Sequence, residues 1–216
     1  MSISTGRFVI AVAGPSGAGK STLVRALVRE LEDAVALFFD DYHPKFVSST
    51  SYPQTTAQWL DEGADPASWS TPQMLADLQA LVRGETILHP KEKSILESAT
   101  FIVLEEPFGR ARPGMKELID YVIVVNTPLE VALSRRLLRE LEKPYSSEHP
   151  DKFISSMSTF LNSYLKAGRL LYLAVNEYAL KDCNLVLDAL KSPPEIVREA
   201  AQQVRIAASF LSVKPG

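Results

Sequence analysis

The sequence predicts an α/β protein, a three-layer sandwich with a central five-stranded parallel sheet and helices on both faces. Three observations carry this expectation. Short apolar runs alternate with helical patterns along the chain, the arrangement that builds right-handed βαβ crossovers. The first run, Phe8–Ala13, is continuous rather than alternating, which suits a strand buried on both faces. A glycine-rich turn, Gly14–Ser21, follows that run and opens directly into a helical pattern.

The elements follow in order. Leu23, Leu27 and Leu31, with Val24 and Val28 beside them, give the first helix its apolar stripe. Val35–Phe39 reads as the second strand. Thr71-Pro72 supplies an N-cap and a proline at the first helical position. Met74, Leu75, Leu78, Leu81 and Val82 are the stripe of that helix, and Gly84 ends it. Thr100–Leu104 and Tyr121–Val125 are the third and fourth strands. Pro128 opens a helix in which Leu129, Leu133, Leu137 and Leu141 recur every four residues. Phe153, Met157, Phe160, Leu161 and Tyr164 mark another helix, and Asn184–Leu187 a fifth strand. Ser192-Pro193-Pro194-Glu195 fits a capping box for a last helix through Val197, Val204 and Leu211. With no internal repeat or linker, one domain over 1–216 is expected. Within it 41–84 reads as an insertion, 135–174 as a helical lid, and Ser48–Thr56 as a mobile loop.

Composition narrows the function classes. The 216 residues are 46% hydrophobic and 23% charged, which argues against disorder. A net charge of −3 gives no general attraction to nucleic acid or to anionic membrane. The single cysteine, Cys183, excludes an internal disulfide and fits a reducing compartment. Met1–Gly6 lacks a signal-peptide pattern, and the apolar runs fall short of the ~20 residues that span a bilayer. A cytoplasmic protein with neither a membrane nor a nucleic-acid partner is expected; homo-oligomerisation is left open.

Gly14-Pro15-Ser16-Gly17-Ala18-Gly19-Lys20-Ser21 matches G-x-x-x-x-G-K-[ST] in full, after a buried strand and before a helix. Such a loop folds its backbone N–H groups into a nest for phosphate oxygens, and the helix adds its positive end. Gly14, Ser16, Gly17, Ala18, Gly19, Lys20, Ser21 and Thr22 are the candidate nucleotide contacts. Lys20 supplies a point charge for the β- and γ-phosphates, and the Ser21 hydroxyl is a hard ligand for Mg²⁺. ATP and Mg²⁺ are the expected cofactors, although the motif alone also serves GTPases and motor ATPases.

Two acidic pairs follow strands, Asp40-Asp41 after the second and Glu105-Glu106 after the third. Ligands of doubly wound sheets sit at such strand ends. Carboxylates beside ATP either orient Mg²⁺ or accept a proton from an attacking hydroxyl. Arg135, Arg136 and Arg139 form a stripe beside the leucine face of their helix. They are either a lid that stabilises phosphoryl charge or a solvated face paired with Glu130 and Glu140.

Taken together, these residues resemble the uridine kinase/phosphoribulokinase-like family of P-loop kinases, from Phe8 to about Ala189. Gly14–Ser21 is similar to its GxSGSGKS loop. Phe39-Asp40-Asp41-Tyr42 resembles its D-S-F/Y-Y segment, which implies Asp40 as catalytic base. Ala64-Asp65-Pro66-Ala67-Ser68-Trp69 is similar to its HPDAF-D segment. Val103-Leu104-Glu105 resembles the strand whose glutamate, here Glu105, joins Ser21 at the Mg²⁺ site. Arg135-Arg136-Leu137-Leu138-Arg139-Glu140 is similar to the lid motif RRxxRD, so Arg136 and Arg139 inherit phosphate contacts. The resemblance implies a P-loop kinase-like sandwich and transfer of the ATP γ-phosphate to a hydroxyl of a small molecule, with 41–84 on the acceptor side. A genuine uridine/cytidine kinase and a regulatory ATPase are the alternatives, the latter without the N-K-x-D motif of GTPases.

The chain departs from the family on the acceptor side. Ser70 stands at the ribose-binding aspartate, the Y-D…H segment has no clear match, and Leu88–Ser94 is a shortened version of it. Uridine and cytidine are therefore expected to be poor acceptors, and a smaller polyol, sugar or acid a better one. Asp40, Tyr42, His43, Trp69 and Arg110 are the candidate acceptor contacts, with Arg112 beside Arg110. Trp59 reads equally as a wall of the acceptor pocket or as core packing, His89 as structural, and His149, near a helix start, as exposed.

Overall fold

The computed structural model describes residues 6–44 and 52–211, without the side chain of Leu211. The readings of the N-terminus and of Ser48–Thr56 as a mobile loop lie partly outside the described residues. The element order is β1 Phe8–Ala13, α1 Lys20–Glu30, β2 Ala34–Phe38, α2 Thr56–Asp61, α3 Pro72–Arg83, β3 Ile87–Leu88, β4 Ile95–Leu96, β5 Phe101–Glu105 and β6 Tyr121–Asn126. It continues with α4 Leu129–Leu141, α5 Pro144–Glu148, α6 Pro150–Ser163, α7 Arg169–Lys181, β7 Leu185–Asp188 and α8 Pro193–Leu211.

Among the described residues, β2, β5, β1, β6 and β7 form one parallel sheet in that spatial order. The period of two along β1 divides the core. Val9, Ala11 and Ala13 face Met74, Leu78 and Leu81 of α3. Phe8, Ile10 and Val12 face Leu23 and Leu27 of α1 and Ala200 and Val204 of α8. Each buried leucine or valine contributes about 1.5–3 kcal/mol, so both layers clamp β1 rigidly. A continuous apolar run is what a strand covered on both faces requires.

The register brings the site together. Val12 of β1 pairs with Glu105 of β5, and Phe38 of β2 pairs with the same Glu105. The carboxyl ends of β1, β5 and β2 therefore lie side by side, where the chain changes direction about β1. At the head of α8 the Ser192 amide donates to the Glu195 carboxylate, the half of the capping box that the glutamate supplies, and the Ser192 hydroxyl donates to the same carboxylate.

Three elements lie outside the sequence expectation. The antiparallel β3–β4 hairpin pairs two residues from each strand, too few to show a period. Helix α2 is a short six-residue element within the predicted insertion. Helix α6 runs through a π-helical turn, Tyr164–Gly168, into α7, so helical structure extends to Lys181, beyond the expected lid boundary. No described helix is long and apolar enough to cross a membrane.

Candidate functional site

The loop after β1 needs glycine at two positions. Gly14 has φ 134°, and a Cβ there would lie 2.9 Å from the Val125 carbonyl oxygen. Gly17 has φ 87°, and its Cβ would lie 2.2 Å from the Ala132 carbonyl oxygen of α4. The loop is thus wedged between the end of β6 and the first turn of α4, closer than any side chain permits. The Ala18 amide donates to the Pro15 carbonyl at 3.2 Å, turning the loop back on itself.

Lys20 is 7% exposed. Its ammonium donates to the Pro15 carbonyl at 3.1 Å and lies 3.5 Å from Glu105 Oε1. Burial pushes the Lys20 pKa down; the charges of Glu105 and Asp40 oppose that shift. The Ser21 hydroxyl donates to Glu105 Oε2 at 2.7 Å. The ammonium and hydroxyl of adjacent residues at the head of α1 thus meet a carboxylate from the end of β5.

A cleft of about 640 Å³ opens over this cluster. Gly14, Pro15, Ser16, Gly17, Gly19, Lys20, Ser21 and Thr22 line it from the loop and α1. Asp40 and Phe39 enter from the 3₁₀ turn after β2, Trp69 from the connection to α3, and Glu105, Pro107 and Phe108 from the end of β5. Arg135 and Arg139 line it from α4, and Leu171, Tyr172 and Val175 from α7.

The 3₁₀ turn Phe39–Tyr42 separates its two carboxylates. Asp40 is exposed into the cleft, whereas Asp41 is buried. Asp41 lies 3.4 Å from His89 Nε2 and accepts from Lys91 Nζ at 3.0 Å. Of the expected acceptor contacts, Trp69 reaches the cleft wall. Its ring packs against Tyr52, Trp59 and Phe108 at centroid distances of 5.1, 5.8 and 6.0 Å.

Four expectations are corrected. Tyr42 is wholly buried, and its hydroxyl donates to Asp77 Oδ2 at 2.8 Å, because the turn directs it beneath α3. His43 packs edge-on against Tyr52, outside the cleft wall. Arg110 bends to the opposite end of the sheet. There its guanidinium donates to the carbonyls of Ile119, Asp120 and Asp182 and to the Asp182 carboxylate and Asn184 side chain. Arg112 is buried in an ion pair with Glu106 and also holds the Trp69 carbonyl and the Thr71 hydroxyl. Neither arginine is available to an anionic acceptor.

The three arginines of α4 make different contacts. Arg136 donates to the Tyr172 hydroxyl at 2.6 Å and to Ser16 Oγ at 3.3 Å, and lies over the Phe160 ring. Arg139 lines the cleft, and so does Arg135, which donates to the Ala189 carbonyl at 3.0 Å. Arg135, part of the predicted stripe but given no phosphate contact of its own by the sequence, is thus a cleft residue. Sequence reasoning missed Arg25, which lines the cleft one helical turn after Ser21. Leu171, Tyr172 and Val175 carried no local signal.

Ser21 and Glu105 present hard oxygen donors that already converge, and Asp40 borders the same cleft. Among the described residues no group of three or more His, Cys, Asp or Glu side chains gathers as a metal cage. A cation that takes one or two protein oxygens and keeps its waters, as Mg²⁺ does, fits this donor set.

No family model matches the chain. Curated relatives do match it. The uridine kinase of Staphylococcus epidermidis (strain ATCC 12228 / FDA PCI 1200) is 23% identical over 190 residues, covering 83% of this chain and 86% of the relative. The uridine kinase of Brevibacillus brevis is 29% identical over 146 residues, covering 62% and 67% respectively. Among solved structures, that of APE1195 superposes with a TM-score of 0.51 at 14% identity, covering 94% of this chain and 97% of that one, a likeness of fold. The chain is similar to uridine kinase-like P-loop kinases, as the sequence resemblance implies.

Proposed function

From that likeness and the cleft, we propose that the chain transfers the γ-phosphoryl group of ATP to a hydroxyl of a small molecule. The observation that carries this reading is the meeting of Lys20, Ser21 and Glu105 at one end of a cleft that Asp40 enters from another strand. A nucleotide-binding loop needs only the first three. A separate carboxylate, exposed in the same cleft, supplies a base for an acceptor.

In this mechanism the loop amides and Lys20 hold the phosphates, and Arg139 adds positive charge where the transferring group spreads its own. Asp40 accepts the proton of the acceptor hydroxyl as that oxygen bonds the γ-phosphorus and the bond to ADP breaks. Ser21 and Glu105 would hold Mg²⁺, which neutralises phosphate charge when bound. Phe108, Leu171 and Val175 narrow the cleft against water, which limits wasteful hydrolysis.

The acceptor is an alcohol, and uridine is the reading favoured by the names of the relatives, with cytidine the other pyrimidine nucleoside to test. Against it stands Ser70 at the position of the ribose-binding carboxylate. The deciding experiment measures ADP release with ATP and a panel of alcohols containing uridine, cytidine, sugars and hydroxy acids. Acceptor-dependent release supports the kinase; release indifferent to every alcohol supports a regulatory ATPase instead.

A further inference from the structure

The turn that presents Asp40 does not stand on its own backbone. Its next two residues point away from the cleft and are each tied to a different element. Tyr42 donates to Asp77 of α3, and Asp77 also accepts from Gln73 Nε2 at 2.6 Å. Asp41 faces the β3–β4 hairpin, where His89 and Lys91 meet it.

His89 is 6% exposed, and both its ring nitrogens are engaged. Nδ1 accepts the backbone amides of Lys91 and Glu92 at 3.3 and 3.1 Å. An accepting Nδ1 carries no proton, so the neutral ring bears its hydrogen on Nε2, the atom facing Asp41 Oδ2 at 3.4 Å. The ring thus orders its own loop with one nitrogen and reaches the catalytic turn with the other. Lys91 approaches the other carboxylate oxygen at 3.0 Å, so the buried Asp41 charge is compensated.

We propose that His89 is a positioning residue for phosphoryl transfer, acting through Asp41 to fix the turn that carries Asp40. The inference rests on the reading of Asp40 as the base. Neither Asp41 nor His89 lines the cleft, so any effect on turnover passes through the turn. Catalytic geometry is sensitive to such support: a misplacement of about 1 Å can cost on the order of 10²-fold in rate.

The test is a double-mutant cycle on the full chain, scored by ADP release with uridine or with whichever alcohol of the panel turns over fastest. His89→Phe removes both nitrogens and keeps a ring; His89→Gln restores a donor at the position of Nε2. We expect His89→Phe to lower kcat about 10–100-fold with the ATP KM changed less than about twofold. His89→Gln should recover most of that loss. In an Asp40→Asn background, His89→Phe should cost nothing further in kcat, because the group it positions is gone. A full additional loss in that background would overturn the proposal, as would unchanged kcat in folded His89→Phe, or a loss that His89→Gln leaves unrepaired. If Asp40→Asn by itself leaves kcat unchanged, or if no alcohol is phosphorylated, it is the reading of the site that falls, and the inference falls with it.

Discussion

Replacing Gly17 by alanine probes the contact that joins the glycine-rich loop to α4. Two costs add. Alanine at φ 87° sits in the left-handed region, at a cost of about 1–2 kcal/mol. Its methyl would also stand 2.2 Å from the Ala132 carbonyl oxygen, and backbone cannot swing aside as a side chain tip can. Overpacking of this kind costs about 1–3 kcal/mol. The sum is about 2–5 kcal/mol, which in a chain of this size lowers Tm by roughly 4–20 °C. Gly19 is the control, since its φ is 103° but a Cβ there meets nothing within 4 Å. Gly19→Ala should therefore show the strain alone, about 1–2 kcal/mol or roughly 2–8 °C. Kinetics should separate the two further. To admit the methyl, α4 must retreat, and it carries Arg135 and Arg139 into the cleft. A shift of about 1 Å there should lower kcat/KM for ATP by up to about 10²-fold in Gly17→Ala. Calorimetry and initial rates on both variants are the assay. If Gly17→Ala melts no lower than Gly19→Ala and turns over equally well, the loop and α4 are not in the contact described.

Lys20→Ala should abolish phosphoryl transfer and leave a folded protein, because its ammonium reaches the site from a helix otherwise held by Leu23 and Leu27; near-normal turnover would refute the phosphate-binding role. Asp40→Asn should cost about 10²–10⁴-fold in kcat with ATP affinity retained, and Asp41→Asn less, since only Asp40 is exposed to the cleft; the reverse order in steady-state rates would move the base to Asp41. Arg112→Ala should destabilise by about 3–5 kcal/mol, because it strands the buried Glu106 carboxylate, and a thermal melt within error of the parent protein would contradict that. With uridine and cytidine, kcat/KM is expected below about 10⁴ M⁻¹s⁻¹, under the usual enzyme range, as Ser70 lacks a carboxylate for the ribose; higher values would show an ordinary nucleoside kinase.

Much of this architecture was legible in the chain because its signals are local. A strand covered on both faces writes itself as an unbroken apolar run, and Phe8–Ala13 is one. A helix start writes itself in its caps, as at Ser192 and Glu195. The phosphate loop is contiguous, so its residues declare their chemistry by spacing. Strand-end carboxylates could be placed for the same reason, and Asp40 and Glu105 do enter one cleft.

What the tertiary structure alone decided is where long or rotatable side chains go, and which distant segments meet. Nothing near Arg110 in sequence reveals that its fork will find the carbonyls of Ile119, Asp120 and Asp182, or that Arg112 will bury itself against Glu106 and support the Trp69 carbonyl. A flexible stem can serve either end of a strand, and the choice falls to the partners that packing supplies. Tyr42 looked like a cleft residue beside Asp40, yet one tight turn sends it under α3 to Asp77. Tyr172 became part of the cleft, and Asp41 the partner of His89, only because the sheet order brings elements distant in sequence within a few ångströms. Periodicity and spacing report on neighbours along the chain; contacts across the fold depend on the packing of whole layers.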